Sequence, residues 1–91
     1  MVFSVSYDTP AEKVKEILNR IADEHPAVIK EKGKTIRMSK QNASSLDFVF
    51  RVWVESKDYW TTMFDFNEIV KEEFDKNSIE IPYQKIDIYN K

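Results

Sequence analysis

From Ser44 to Trp60 the chain reads SSLDFVFRVWVESKDYW, its densest apolar run. Strict alternation through this run places Leu46, Phe48, Phe50, Val52 and Val54 on one face. Asp47, Val49, Arg51, Trp53 and Glu55 fall on the other. A strand is predicted here, with one greasy face and one half-polar face that carries a tryptophan. The opening segment VFSVSY, 2–7, alternates in the same way, with Phe3, Val5 and Tyr7 in phase. Thr35 to Asn42 is a third and more polar alternating segment, with Ile36 and Met38 on one side. Its flanking lysines suit a sheet edge, and the turn from Asn42 to Ser45 makes it a hairpin with the next strand.

Two stretches carry helical spacing instead. After DTP, the residues Val14, Ile17, Leu18, Ile21 and Ala22 form one apolar stripe. Thr9, Pro10 and Glu12 predict a capping box with proline at the first helical position, and Pro26 predicts an end near Glu24 or His25. A second helix is predicted from about Asp58 to Lys76. Tyr59, Met63, Phe66, Ile69, Val70 and Phe74 supply its buried stripe, and Asn77 takes the left-handed position that ends it. SIEIPYQKIDIYNK closes the chain with Ile79, Ile81 and Tyr83 in phase as a fourth strand. Pro82 confines that strand to an edge or a bulge. Ile86 and Ile88 have the opposite parity, so a bend is expected between Tyr83 and Lys85.

Strand, helix, strand, strand, helix, strand is the split β-α-β order of a ferredoxin-like sandwich. The prediction is an α+β fold: a four-stranded antiparallel sheet with two helices on one face and an extended C-terminal tail. Residues 1–83 make up the domain and 84–91 the tail. The two most apolar strands fall inside the sheet, which leaves Arg51 and Trp53 on its uncovered face.

Composition adds mainly exclusions. Ninety-one residues make one domain with one modest core. A net charge of −2 gives no basic footprint for nucleic acid. The absence of cysteine removes disulfides, thiolate metal sites and a cysteine nucleophile. Nowhere does an apolar run approach the roughly 18 residues of a membrane-spanning helix. The chemistry that this fold hosts elsewhere also fails residue by residue. The first strand-to-helix loop, YDTPAEK, holds no cysteine pair for copper, no arginine for phosphate and no glycine for an amino-acid sensor. The uncovered face offers Trp53 alone beside Asp47 and Glu55, a poor surface for RNA.

His25 is the sole imidazole, at a helix end where bonding the last carbonyls is a sufficient role. Asp65, Glu68, Glu72, Glu73 and Asp75 read as the solvated side of a helix. Tyr59 and Trp60 read as core or rim packing, and Trp53 as an interface anchor. No nucleophile, base and oxyanion donor come together. The expectation is therefore no enzyme, no cofactor and no metal.

VSYDT before a capped helix, SSLDFVFRVWV, DYW, and EFDKNSIEIPY with a closing IDI together resemble the C-terminal domain of the small-conductance mechanosensitive channel family. The resemblance runs from Val5 to about Ile88, and Arg51-Val52-Trp53 together with EFD followed by IEIPY are specific in combination. It implies a membrane channel of seven copies that opens under bilayer tension and releases ions and small solutes. The C-terminal domains of such channels help build a hollow cage on the cytoplasmic side of the inner membrane. By this resemblance the chain is a fragment beginning at a domain boundary, monomeric or weakly associated alone. Arg51 and Trp53 would face neighbouring copies or the vestibule, and Ile86, Ile88 and Tyr89 would form an assembly strand. Two departures stand out: Asn77-Ser78 where the family usually has glycine, and Gln84-Lys85 where a second proline is common. The alternative is a free-standing ferredoxin-like module whose uncovered sheet face binds a small ligand or a protein.

Overall fold

The computed structural model describes residues 1–82. It contains β1 (Val2–Ser6), α1 (Ala11–Glu24), β2 (Thr35–Gln41), β3 (Ser45–Arg51) and α2 (Tyr59–Lys76). Single 3-10 turns sit at Lys30–Lys32 and Ser56–Asp58. The sheet order is β1-β3-β2, with both pairs antiparallel.

Register explains the two faces. Phe3 lies opposite Phe48, Val5 opposite Leu46 and Ile36 opposite Phe50. Directly opposed residues share a face, so these six point together toward the helices. Leu46, Phe48 and Phe50 join Val14, Ile17, Leu18 and Ile21 of α1 and Phe66, Val70 and Phe74 of α2 in one core. Phe50 stacks edge-on between Phe3 and Phe66, with ring centroids 5.7 and 4.9 Å away. The opposite face carries the rows Val2–Val49–Arg37 and Ser4–Asp47–Lys40. Ser4 Oγ donates to Asp47 Oδ1 at 2.6 Å on that face. A bulge leaves Ser39 without a partner. Without that extra residue Lys40 would oppose Leu46 and enter the core, so the bulge returns the charge to solvent.

The α1 stripe is buried as the spacing predicts. Its start differs. Pro10 precedes the first helical residue in an extended conformation, and no side chain caps the helix. Thr9 therefore sits one residue too far out for the expected capping box, and Glu12 pairs with Lys15 at 3.3 Å instead. The stripe of α2 also shifts: Thr62, Phe66, Val70 and Phe74 are buried, whereas Tyr59 is exposed and Met63 and Ile69 only half-buried. The reason is that β3 ends at Arg51. The first turn of α2 has no sheet beneath it, and four-residue steps back from Phe74 reach Thr62.

The end of α2 corrects a second expectation. Asn77 has a φ of −100°, and Ser78 is the left-handed residue with a φ of 58°. Ile79 N–H bonds Phe74 O at 2.8 Å and Ser78 N–H bonds Asp75 O at 3.2 Å. This is a Schellman motif, closed by contact of the apolar residues that flank it; Phe74 and Ile79 are both buried. Asn77 contributes through its side chain, which donates to Glu73 O at 2.8 Å.

No fourth strand is assigned among the described residues; the segment after Ser78 touches β1 through one backbone bond, Ser6 N–H to Glu80 O at 2.8 Å. An antiparallel register through that bond would set Pro82 opposite Ser4. Proline has no N–H to give Ser4 a ladder bond there. Tyr83, the 84–91 tail and its expected bend lie outside the described residues.

Candidate functional site

Between the end of β3 and the start of α2 the chain leaves regular structure, and the apolar residues there are not consumed by the core. Val52 to Glu55 follow β3 without strand pairing. Trp53 is thus not on the uncovered sheet face, where alternation had placed it, but just past the strand end. Its carbonyl accepts from Ile29 N–H at 2.8 Å, which ties this segment to the connector after α1. The indole is 57% exposed. Lys32 Nζ stands 5.2 Å from its ring centroid, a cation–π contact that leaves most of the ring open. Arg51, the last residue of β3, is exposed beside it.

The first turns of α2 extend this surface. Trp60 is 65% exposed, Phe64 60% and Tyr59 45%. The Tyr59 and Trp60 rings meet edge-on at 5.2 Å, and Trp60 and Phe64 lie 6.4 Å apart across one turn. A groove of about 270 Å³ separates the helix from the β3 extension, lined by Trp53, Val54, Tyr59 and Met63. Isolated exposed apolar residues are ordinary, but a contiguous group of this kind marks a contact surface. Trp, Tyr and Arg are also the residue types that dominate binding energy at protein interfaces.

Of the residues singled out in the sequence, Arg51 and Trp53 lie together on this surface. Ile86, Ile88 and Tyr89 lie outside the described residues. Phe64 was missed, although it stands four residues after Trp60 and off the buried stripe. That pairing was the available signal. Trp60, expected as core or rim packing, is the most exposed aromatic side chain among the described residues.

His25 departs from its expected role too. It caps α1 by position, but its ring bonds elsewhere: Nε2 lies 3.0 Å from Asp65 Oδ2, and Nδ1 accepts from Ala27 N–H at 3.1 Å. The carbonyl of His25 is bonded by Lys30 Nζ at 3.1 Å. Nearby, Arg20 donates to Glu73 Oε1 at 2.7 Å. That hydrogen bond, with the guanidinium charge, holds the Glu73 carboxyl below the usual carboxylate range. The same bond raises Arg20. Among the described residues, no cluster of three or more His, Asp or Glu could hold a metal ion. No helix among them is long and apolar enough to cross a membrane.

What these residues define is a two-layer α+β domain with a half-covered sheet, whose most distinctive surface is an exposed aromatic group. Comparison with known proteins narrows that class. Residues 1–81 match the C-terminal domain of the mechanosensitive ion channel MscS. The chain belongs to the MscS mechanosensitive channel family. It is 36% identical over 89 residues to a small-conductance mechanosensitive channel of Edwardsiella ictaluri, covering 98% of this chain and 31% of that protein. A small-conductance mechanosensitive channel of Helicobacter pylori is 31% identical over 88 residues, 96% of this chain and 32% of the relative. An MscS family protein of Archaeoglobus fulgidus is 33% identical over 82 residues, 90% of this chain and 29% of its own length. The chain thus spans about a third of the length of the relatives it matches.

Proposed function

We propose that this chain is the C-terminal domain of a tension-gated channel, placed on the cytoplasmic side of the inner membrane. There it acts by assembly and not by catalysis. Seven copies surround a vestibule through which ions and small solutes pass before release. The observation that carries this reading is the family match across residues 1–81, which takes in every element of the domain. The exposed group of Arg51, Trp53, Tyr59, Trp60 and Phe64 supports a domain that meets other protein surfaces. Arg51 and Trp53 face neighbouring copies or the vestibule. Residues 1–83 form the folded unit and 84–91 an assembly strand, in which Ile86 and Ile88 present one side and Tyr89 the other. Eight residues bury little apolar area, so the isolated chain is monomeric or weakly associated.

The test is the longer protein that carries this chain, produced in cells lacking tension-gated channels. Survival of a sudden drop in external osmolarity is expected, with a substantial loss of survival and of seven-fold assembly when 84–91 is deleted. Cells that die at the same rate with and without the protein, despite membrane insertion, would refute the proposal.

A second reading, a free-standing ligand-binding module, would use the groove beside Trp53. At about 270 Å³ it falls just under the roughly 300–1,000 Å³ of ligand pockets. Saturable change of tryptophan fluorescence by a small molecule, lost in Trp53→Ala, would support that reading instead.

A further inference from the structure

We propose that His25 is a proton-sensitive latch, whose neutral ring fastens the connector between α1 and β2 and whose protonation releases it. The side chain is 10% exposed, with its ring centroid 4.9 Å from that of Phe66. Both nitrogens are engaged, and their partners fix the proton. Ala27 N–H can only donate, so Nδ1 accepts with its lone pair. The hydrogen therefore resides on Nε2, where it is donated to Asp65 Oδ2 at 3.0 Å. A side-chain acceptor for the N–H two residues on is the geometry of an Asx-turn, with imidazole in place of a carboxamide.

A proton from solvent can enter only at Nδ1. The imidazolium then has two donors and no acceptor, and Nδ1–H faces Ala27 N–H. Nε2–H keeps its bond to Asp65, which gains an ionic component. The latch therefore opens on the connector side and holds on the α2 side. Charged groups lie near the ring on each element packed against it. Asp65 of α2 faces the ring directly, and the cleft beside it is lined by Arg20 and Glu24 of α1 and Glu73 of α2. Arg20 is already committed to Glu73 and Glu24. Lys30 of the connector donates to the His25 carbonyl.

Opening at Ala27 matters because of what the connector carries. Val28 is buried in the core, Ile29 N–H bonds Trp53 O at 2.8 Å, and Lys32 Nζ stands over the Trp53 ring. Beyond them Gly33 turns the chain with a φ of 81°. Releasing the start of the connector loosens the segment that positions Trp53. In the assembled channel, contacts made through Trp53 then become sensitive to pH; that consequence rests on the reading proposed above, whereas the latch does not.

The experiment uses the chain alone. Imidazole ¹⁵N shifts and amide exchange protection are followed by NMR from about pH 8 to about pH 5, the interval in which imidazoles ordinarily change charge. Expected at the upper end is an unprotonated Nδ1. On protonation, Ala27 protection falls about tenfold, the scale of one lost hydrogen bond, while amides in the middle of α1 are unchanged. In His25→Asn the side-chain oxygen replaces the Nδ1 acceptor without titrating, so Ala27 protection becomes independent of pH. Nδ1 carrying the hydrogen at the upper end would overturn the proposal. So would Ala27 protection that is the same for both charge states of the wild type, or that falls equally in His25→Asn. The wild-type readings stand without the variant, and none of them depends on channel activity.

Discussion

Phe50→Ala tests the register on which the description of both faces depends. Phe50 is 2% exposed and packs edge-on against Phe3 on one side and Phe66 on the other. Burial of an apolar side chain of this size contributes about 1.5–3 kcal/mol. Each edge-on aromatic pair adds about 0.5–1.5 kcal/mol beyond that area. Burial and the two aromatic pairs together give about 2.5–6 kcal/mol for truncation, which brackets the roughly 3–5 kcal/mol observed for buried aromatic deletions elsewhere. A domain of this size has a total stability of about 5–15 kcal/mol, so a loss of about 3–5 kcal/mol should lower the melting temperature by about 12–40 °C at the 4–8 °C per kcal/mol of small domains. Urea unfolding followed by circular dichroism, with equal slopes for wild type and variant, isolates the stability change. A one-residue slip of β3 would turn Val49 and Arg51 inward and Phe50 outward. A measured loss below about 1 kcal/mol would therefore refute the register and the assignment of the two faces.

Three further outcomes follow from the geometry. Ser78→Gly should stabilise the chain by about 0.5–1 kcal/mol: the left-handed conformation costs a side chain about 1–2 kcal/mol, offset in part by the greater unfolded freedom of glycine; a lower melting temperature would count against it. Trp60→Ala with Phe64→Ala should leave the isolated chain within about 0.5 kcal/mol of wild type, since both rings are exposed, and a large loss in urea unfolding would show that they hold the domain together. The Glu73 carboxyl is held low by Arg20, so its stabilising contribution is present above the ordinary carboxylate range and is lost as pH falls through the depressed value; acid unfolding of Glu73→Gln should lack that component, and identical acid profiles for variant and wild type would contradict it.

The legible parts of the fold were those written in periodicity. The α1 stripe from Val14 to Ala22 and the alternation from Leu46 to Phe50 are each dictated by one buried face, and both appear as read. What escaped depends on where neighbouring elements stop. Alternation continues to Val54 in the sequence, but the strand ends at Arg51, which removes the support that would have buried Tyr59. The identity of the left-handed residue after α2 turned on a one-residue choice between Asn77 and Ser78, which residue preference decides wrongly and the Schellman bonds to Phe74 and Asp75 decide correctly. The Thr9 and Glu12 motif matched a capping box in spacing, yet Pro10 is extended and shifts the helix start by one residue. The fourth strand is not assigned among the described residues, and Tyr83, its last expected inward residue, lies outside them. For the candidate site, alternation places Arg51 and Trp53 on the uncovered sheet face, whereas the strand ends at Arg51 and Trp53 lies just past it; the exposure of Trp60 and Phe64 depends on which side of α2 remains uncovered. The His25 bond to Asp65 spans 40 residues and has no local signature.

Membership in the MscS family leaves one claim to be tested on the whole protein: that this domain serves a channel opened by membrane tension. The direct measurement is excised-patch recording of the longer protein that carries this chain, in a membrane free of other tension-gated channels. The account predicts a conductance that is closed at rest, opens as suction is applied and closes on its release. A folded, membrane-inserted protein that passes no current up to the tension at which the patch ruptures would contradict it.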